Sequence, residues 1–386
     1  MRFDLSAEQE MVRQMARDFA QTELLPGVIE RDERQEFPEA LVRRMGDLGF
    51  MGLMVSPEYG GGGMDTVSYT LVMEELSKVD ASASVIVSVQ NSLVNWGIEV
   101  YGTDEQKRRY LPLLARGEWV GAFCLSEPEA GSDATQQRTT AVRRGDRYIL
   151  NGTKNWITNG GRAQLYLVIA QTDPSQGSRG ISAFLVERSW KGVVVGKKED
   201  KLGIRGSDTH TIIFNDVEVP AENRLGPEGF GFKLAMKTLE GGRIGIAAQA
   251  LGIAAGAYEL ALRYSTQRRA FGVPIAKHQA IAFKLANMAT QIEAARLLCW
   301  RAAWAKDNQL PYGTLASLAK LYASRTAMWV TTEAIQIHGG YGYVKEYHVE
   351  RLFRDAKITE IYEGTSEIQR LILLRAISKG DSLWLA

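Results

Sequence analysis

Cysteine is nearly absent from this chain. Its 386 residues include only Cys124 and Cys299, which lie far apart in the sequence with no cluster of histidines beside them. Such a pair provides neither a disulfide framework nor the ligand spacing of a zinc site, so we expect no bound metal. The scarcity of cysteine favours a reducing compartment, and we expect a cytoplasmic protein.

An excess of charge of one sign is also absent. The chain has 46 basic and 45 acidic side chains, which gives a net charge of +1 with neutral histidines. A protein that binds nucleic acid through its overall charge needs a basic surplus. The balance therefore does not indicate a nucleic-acid partner.

Long apolar runs are missing as well. No stretch approaches the ~18 apolar residues of a membrane span. The first residues, "MRFDLSAEQEMVRQMARDF", carry acidic groups early and lack the apolar core of a signal peptide. We expect neither a leader segment nor a membrane association.

What is present changes character twice along the chain. Residues 1–117 show apolar side chains at helical spacing, interrupted by prolines and by a glycine run. Residues 118–228 contain short segments rich in β-branched and aromatic residues, and residues 229–386 return to long amphipathic helices. This order predicts an α+β protein of three domains: an α-helical N-terminal domain, a middle antiparallel β-barrel or sandwich, and a C-terminal four-helix bundle.

The middle segment contains a hairpin signal. In "YILNGTKNWITNG" the dipeptide Asn151-Gly152 is of the type that favours a two-residue turn between antiparallel strands. No helical stretch alternates with the strands, which argues against a Rossmann sheet.

One acidic residue has an unusual setting. In "IYEGTSEIQR", residues 361–370, Glu363 lies between an aromatic residue and a glycine. Ser366 and Gln369 form a capping-box pattern, so a helix is expected to begin near Ser366, with Glu363 on the approach to it. The neighbours indicate either a partly desolvated loop, where a carboxylate can act as a general base, or an exposed loop glutamate.

Three further motifs are less specific. The run "EYGGGGMD" lacks the lysine and hydroxyl of a nucleotide-binding loop, and we interpret it as a connector. "HGGYGY" ends a long helical pattern and is consistent with a glycine stop. "FCLSEPEAGSDA" places small hydroxyl residues after a strand-like run, where they form either a polar ligand site or an interdomain loop.

Together these motifs carry a family resemblance. "CLSEPEAGSD", "NGTKNWITNG", "QRRAFG" followed by "HQA", "QIHGGYGY" and "RDAKITEIYEGTSEIQ", in this order over nearly the whole chain, resemble the acyl-CoA dehydrogenase family of flavoenzymes, most closely its short-chain (butyryl-CoA) members. The resemblance implies FAD as cofactor and oxidation of acyl-CoA to trans-2-enoyl-CoA, in fatty acid β-oxidation or branched-chain amino acid catabolism. It also implies an electron-transfer flavoprotein as electron acceptor and a homotetramer built as a dimer of dimers.

The resemblance further implies which residues bind FAD. The positions that match the flavin-ring site are Phe123, Leu125, Ser126, Trp156, Ile157 and Thr158, with Gly131 and Ser132 where the flavin meets the CoA arm. The positions that match the adenosine and pyrophosphate site, contributed by a neighbouring subunit, are Arg268, Phe271, His278, Gln279, Gln336, Ile337, Gly339 and Gly340. Thr365 and Glu367 complete the cofactor set beside a helix N-terminus, which favours anions. An arginine suits a pyrophosphate because its planar donors pair with two oxygens at once.

The catalytic assignment follows from the same resemblance. Glu363 matches the base that removes the proton α to the thioester carbonyl, while the β-hydrogen leaves as hydride to flavin N5. The backbone N–H of Glu363 and a ribityl hydroxyl of FAD are expected to stabilise the enolate-like charge. The implied substrate-binding residues are Ser132, Glu240, Arg243, Tyr362 and Gly364.

At two positions, Gly242 and His338, this chain differs from some of its relatives. Some relatives carry the base at the position that matches Gly242, and this chain has no carboxylate there, so the assignment rests on Glu363. His338 stands where many relatives have an aliphatic residue. We interpret it as a hydrogen-bonded histidine at a helix end rather than as a proton-transfer group.

Two other functions are compatible with the same fold. An acyl-CoA oxidase returns its electrons to oxygen, but such enzymes are usually much longer. A DNA-associated flavoprotein would need a basic C-terminal extension, whereas this chain ends in "SKGDSLWLA" with balanced charge. The main prediction therefore remains a short-chain acyl-CoA dehydrogenase.

Overall fold

The structure is a computed structural model that describes residues 4–380. The first three and the last six residues lie outside the described part, and these include most of the C-terminal segment whose charge is considered above. The predicted order of a helical, a β and a second helical domain is confirmed.

The first part of the described chain is entirely helical. Its α-helices are α1 (Ala7–Phe19), α2 (Val28–Arg34), α3 (Glu39–Asp47), α4 (Thr66–Ser77), α5 (Ala81–Ser88), α6 (Trp96–Tyr101) and α7 (Asp104–Ala115). Capping boxes begin α1, with Ser6 and Gln9, and α7, with Thr103 and Gln106. A π-helical segment, Val89–Asn95, joins α5 to α6 without a break.

The middle part forms one eight-stranded sheet. Its strands are β1 (Gly121–Cys124), β2 (Thr140–Arg144), β3 (Arg147–Thr158), β4 (Leu165–Gln171), β5 (Ile181–Glu187), β6 (Val193–Lys198), β7 (Thr209–Pro220) and β8 (Arg224–Leu225). The spatial order is β6-β7-β3-β2-β4-β5-β8, and β1 pairs with β4. Most pairs are antiparallel as predicted, but β1 and β4 are parallel, and β2 meets β4 in parallel at its end. The sheet is therefore mixed.

The predicted hairpin turn at Asn151-Gly152 is wrong. Both residues lie inside β3, where Asn151 pairs with Thr140 of β2 and the register with β7 shifts before Gly152. A Cβ atom on Gly152 would lie 2.6 Å from Thr139 Cα, so the glycine permits a close approach of backbones at a bulge. The turn itself consists of residues 145 and 146, between the paired Arg144 and Arg147.

The last part returns to helices. They are α8 (Gly231–Gln267), α9 (Gln279–Asp307), α10 (Gly313–His338), α11 (His348–Ile358) and α12 (Ser366–Ser378), with a two-stranded ribbon, β9 (Arg269–Ala270) and β10 (Val273–Pro274), between α8 and α9. The glycine stop predicted after the long helix is present, because α10 ends at His338 and Gly339 has a φ of 59°. We retain the predicted boundaries, 117/118 and 228/229, as a proposal, and they fall between α7 and β1 and between β8 and α8.

Helix α8 lies at the centre of the protein. Among the described residues it is the one helix long and apolar enough to cross a membrane by length and composition, which the sequence analysis did not anticipate. However, 83% of that window is buried by the rest of the chain, and α8 packs against α4, α9 and α10. It is the core helix against which the site is built.

Helix α11, which leads to Glu363, is fixed to the other two domains. Asp355 on α11 accepts a hydrogen bond from the backbone N–H of Ile204 at 2.5 Å, and burial raises the pKa of this carboxyl to about 6. Arg354 donates to Asp32 of α2 at 2.7 Å. These contacts hold the start of the Glu363 turn relative to the rest of the molecule.

Candidate active site

Glu363 lies in a tight turn between α11 and α12. Its φ is 53° and that of Gly364 is 94°, so two successive residues adopt left-handed backbone conformations. Glutamate rarely adopts this conformation, and such strain persists only where the surroundings enforce it. The desolvated loop predicted around Glu363 is thus a strained turn.

Helix α12 begins where predicted, but its cap differs from the prediction. The N-cap residue is Thr365, whose Oγ1 accepts a hydrogen bond from the N–H of Ile368 at 3.3 Å. Ser366 is the first helical residue and does not cap the helix. Gln369 turns back instead, and its Nε2 donates to the carbonyl oxygens of Glu363 at 3.3 Å and of Gly364 at 2.8 Å. The expected capping-box partner therefore supports the Glu363 turn.

The carboxyl group of Glu363 faces α8. A Cβ atom on Gly242 would lie 2.9 Å from the carboxyl carbon, nearer still to Oε2, and 2.8 Å from Leu93 Cδ2. The absence of a side chain at Gly242 is what allows the carboxylate to occupy this space. The position that bears the base in some relatives thus adjoins Glu363 in this chain.

The electrostatic surroundings favour a carboxylate that takes up a proton near neutral pH. Glu363 keeps some exposure as a residue, but Oε2 is buried and has no hydrogen-bond partner among residues 4–380. Burial raises the pKa of Glu363 to about 7, against the opposing charges of Lys320 and Arg243. An oxygen without a partner and a pKa near 7 are the properties of a general base.

Of the predicted substrate residues, Arg243 on α8 and Tyr362 in the turn lie near this carboxylate, and Glu240 lies one turn earlier on α8. Arg243 is buried, its Nε has no partner among the described residues, and burial lowers its pKa. Tyr362 donates a hydrogen bond to Gln249 Oε1, and burial raises its pKa. Glu240 pairs with Lys237 at 2.9 Å, close to the start of α10 at Gly313.

The residues predicted for the flavin ring come from β1 and the loop after it and from the end of β3, which are joined by a backbone hydrogen bond although the two strands are not paired. The N–H of Asn155 donates to the carbonyl of Ser126 at 2.9 Å, which joins the loop after β1 to the bulge of β3. Trp156 has a φ of 61° and is 63% exposed, so the bulge turns a large ring outward. Around it, Leu125 and Ile157 are buried, whereas Phe123, Ser126 and Thr158 are half-buried, and Gly131 and Ser132 are exposed.

A buried lysine that the sequence analysis did not single out supports the loop after β1. Lys154 is completely buried, and its Nζ donates to Leu125 O at 3.0 Å, to Glu127 Oε1 at 2.8 Å and to Gln137 Oε1. Burial lowers the pKa of Lys154 to about 8. Glu127 in turn accepts from the N–H groups of Arg138 and Thr139.

Four of the residues predicted for the adenosine and pyrophosphate end lie around one pocket. Arg268 lies 5.6 Å over the ring of Tyr341 and borders a pocket with Ile337, Gly339 and Gly340. A Cβ on either glycine would meet no atom within 4 Å, so this side of the pocket is open. Phe271, at the tip of the β9–β10 ribbon, is 96% exposed. Also exposed are Gln279, Gln336 and Glu367, whereas His278 and Thr365 are half-buried.

These donors and surfaces fit FAD. An arginine beside two open glycines suits a pyrophosphate, and the aromatic rings of Tyr264 and Tyr341 in the same pocket suit an adenine. The exposed face of Trp156 with the apolar residues of β1 suits a flat aromatic ring. None of these contacts requires a metal, and no cluster of three or more metal-ligating residues occurs among the described residues.

His338 is hydrogen-bonded at the end of α10, as interpreted. Its Nδ1 lies 2.8 Å from Ala334 O, and its ring stacks on Tyr264 at 4.3 Å between centroids. Burial lowers the pKa of His338, so the ring is neutral near pH 7.

Three family models match the chain in succession. The N-terminal domain of acyl-CoA dehydrogenase matches residues 6–118, the middle domain matches residues 122–217, and the C-terminal domain matches residues 229–378. The chain belongs to the acyl-CoA dehydrogenase family. The enzyme class and the FAD cofactor expected from the sequence are thereby confirmed.

Individual acyl-CoA dehydrogenases resemble the chain over nearly its full length. The short-chain specific acyl-CoA dehydrogenase of Clostridium acetobutylicum is 52% identical over 97% of this chain and 98% of its own. The structure of butyryl-CoA dehydrogenase from Megasphaera elsdenii is 49% identical, with a TM-score of 0.97 over 98% of this chain and 100% of that chain. A structure described as the electron transferring flavoprotein of Acidaminococcus fermentans contains a chain that is 52% identical, with a TM-score of 0.97 over 98% and 99% of the two chains.

Proposed function

We propose that this protein oxidises short-chain acyl-CoA thioesters, with butyryl-CoA as the best substrate, to trans-2-enoyl-CoA. The observation that carries the proposal is the Oε2 atom of Glu363, which is buried, lacks a protein partner and faces the glycine of α8. Such an oxygen can accept a proton from a substrate without first breaking a hydrogen bond inside the protein.

Glu363 acts as the base in this reaction. It removes the proton from the carbon α to the thioester carbonyl, and its pKa of about 7 leaves a useful fraction ionised at neutral pH. As negative charge moves toward the thioester oxygen, the backbone N–H of Glu363 donates to that oxygen. Arg243, buried beside the carboxylate, adds a positive charge to the same region.

The cofactor is held by the two groups of residues described above. When bound, FAD supplies the hydride acceptor for the hydrogen that leaves the β-carbon. Trp156 and the residues of β1 would pack against the flat ring, and Lys154 keeps the loop after β1 in place through Leu125 and Glu127. Arg268 would pair with the pyrophosphate of a neighbouring subunit's cofactor.

A buried wall supports the preference for a short acyl chain. Gly245 lies one turn beyond Gly242 on α8, and a Cβ there would lie 2.8 Å from Ser88 Oγ and nearer still to the hydroxyl of Tyr69. Tyr69 is 1% exposed and bonds Ser88 at 3.1 Å. The rise of an α-helix over three residues is about 4.5 Å, so the wall stands only a few carbon–carbon bonds past Glu363.

The assembly and the electron acceptor belong to the same proposal. Exposed apolar residues on α9 and α12, including Phe283, Leu374 and Ile377, with Phe271 on the ribbon, support a homotetramer. Trp156 is exposed where an electron-transfer flavoprotein could approach, and the related chain in the Acidaminococcus structure supports that partner. We propose a cytoplasmic enzyme.

The proposal is tested by anaerobic reduction of the purified enzyme. The protein should be yellow with roughly one FAD per chain, and a panel of straight and branched acyl-CoA thioesters should bleach the flavin fastest with butyryl-CoA. Glu363→Gln should keep FAD and bind acyl-CoA, yet lose at least ~100-fold in the bleaching rate, because the general base is gone. Fast bleaching in this variant would remove Glu363 from the mechanism. Rapid reoxidation by oxygen alone would favour an oxidase.

A further inference from the structure

A second completely buried lysine lies directly behind the Glu363 turn. Lys320 of α10 is 0% exposed, although lysine is almost never fully buried without a partner. Its Nζ donates to the carbonyl oxygens of Thr359 at 2.9 Å and of Gly364 at 2.7 Å. Among residues 4–380 no carboxylate oxygen lies within ion-pair distance of this ammonium. The partners of Lys320 are thus backbone carbonyls at the two ends of one turn.

The two carbonyls enclose the strained part of the turn. Glu363 and Gly364 both have positive φ angles, and their conformation needs external support. Lys320 holds the turn from the α10 side, and Gln369 Nε2 holds the carbonyls of Glu363 and Gly364 from the α12 side. Gly364 O therefore accepts from both side chains. The direction of the Glu363 carboxylate depends on these donors.

The ammonium also acts on the charge of the carboxylate. Burial raises the pKa of Glu363, and Lys320 is the strongest opposing influence, followed by Arg243 of α8. Burial lowers the pKa of Lys320 to about 8, and the negative charge of Glu363 is the strongest influence that raises it again. The other charged or titratable groups that face this pair are Glu360 in the turn, Glu367 on α12, Tyr362, and Tyr69 on α4.

We propose that Lys320 is a positioning residue for proton abstraction, because its ammonium holds the Glu363 turn through Thr359 O and Gly364 O and places a positive charge behind the carboxylate. This inference rests on the proposed role of Glu363 as the base. It assigns to α10 a part in the reaction that is separate from contact with substrate or cofactor.

The test replaces the ammonium with groups of similar length. Lys320→Met removes both donors and the charge, so flavin bleaching by butyryl-CoA should slow by at least ~10-fold in protein that still carries FAD, since a small misplacement of a base is costly. The pH midpoint of the bleaching rate should also rise by roughly one unit, because a cation near a carboxylate lowers its pKa. Lys320→Arg keeps the charge and should leave the midpoint near that of the unmodified enzyme.

A control at a half-buried lysine separates this role from the general cost of losing a lysine that donates to a backbone carbonyl. Lys201, in the middle domain, also donates to a backbone carbonyl, that of Ser207 at 2.7 Å, and burial lowers its pKa to about 8. Lys201→Met should not move the pH midpoint. An equal shift in the Lys201 variant, or wild-type rate and midpoint in FAD-loaded Lys320→Met, would overturn the proposal.

Two further comparisons keep the result decisive. If Lys320→Met does not fold, Lys320→Gln, which retains amide donors but no charge, is compared with Lys320→Arg. A midpoint raised only in the glutamine variant supports the proposal, and identical midpoints refute it. Glu363→Gln is measured in parallel. Fast bleaching in that variant would show that Glu363 is not the base, and this outcome is distinct from a failure of the role proposed for Lys320.

Discussion

Gly242→Ala is the most direct test of the geometry at the site. The substitution adds one methyl group at a helix position where alanine is otherwise favoured over glycine by ~1 kcal/mol. In this structure, however, the new Cβ would lie 2.9 Å from the carboxyl carbon of Glu363 and nearer still to Oε2, whereas ordinary contact begins at 3.4 Å. The carboxylate must therefore retreat by ~1 Å, because Leu93 closes the other side at 2.8 Å.

The expected magnitude follows from that displacement. Misplacement of a reacting group by ~1 Å can cost on the order of 100-fold in rate, equivalent to ~2.7 kcal/mol in the barrier. We expect Gly242→Ala to bleach ~100-fold more slowly with butyryl-CoA in anaerobic stopped-flow measurements. The FAD content and the melting temperature should stay close to those of the unmodified enzyme.

The adjacent glycine provides the control. A Cβ on Gly241 would meet only Lys306 Nζ, at 3.6 Å, which is an ordinary contact. Gly241→Ala changes the same helix by the same methyl group, so it should retain most of the bleaching rate. A Gly242→Ala enzyme that matches Gly241→Ala would show that the carboxylate of Glu363 does not work from the position described here.

Three other outcomes are expected. Trp156→Ala should slow reoxidation by an electron-transfer flavoprotein more than reduction by substrate, and equal effects on both half-reactions would contradict its exposed placement. The pKa of Glu363 is raised in the folded state, so this group weakens the fold as pH rises from ~4.5 to ~7, by up to ~3 kcal/mol. Between pH 5 and pH 8 the melting temperature of Glu363→Gln should therefore fall less than that of the unmodified enzyme. An equal fall in both proteins would contradict a raised pKa of Glu363. The double variant Glu363→Gly with Gly242→Glu should recover part of the bleaching rate lost in Glu363→Gly. A double variant that keeps FAD but shows no bleaching would contradict the idea that a carboxylate at either position reaches the same substrate carbon.

The sequence predicted the large-scale fold well because periodicity records burial. Apolar spacing on α1 and α11 follows the buried face of each helix, and the apolar run of β4 corresponds to a strand that is buried along its whole length. Local patterns failed where the rest of the fold decided the outcome. Asn151-Gly152 favours a turn in isolation, but pairing with β2 and β7 keeps it within a strand.

The candidate site was predictable in residue type but not in arrangement. The resemblance named Glu363, yet neither its positive φ nor the open face of Gly242 can be read from neighbours in the sequence. Lys154 and Lys320 escaped notice because a lysine in a sequence window normally indicates a solvated face. Their burial depends on carbonyl groups that tertiary structure alone brings within reach.

These two lysines suggest how the protein keeps a reactive carboxylate in place. Each is completely buried, and each donates to at least one backbone carbonyl of a segment that has little regular structure of its own, the loop after β1 or the turn before α12. Lys154 also pairs with the carboxylate of Glu127, whereas the partners of Lys320 are backbone carbonyls. A backbone carbonyl is neutral and accepts these bonds without taking the proton, so the ammonium of Lys320 stays cationic while it holds the segment. For Lys320 the result has a direct consequence for reactivity. A carboxylate in a direct ion pair with Lys320 would have a low pKa and would be a weak base. The carboxylate of Glu363 interacts with the ammonium only across the turn, so it keeps a pKa of about 7 and an oxygen without a hydrogen-bond partner among the described residues. In the role proposed for Lys320, the separation between its ammonium and the carboxyl group allows one buried cation both to fix the direction of Glu363 and to leave it able to take a proton.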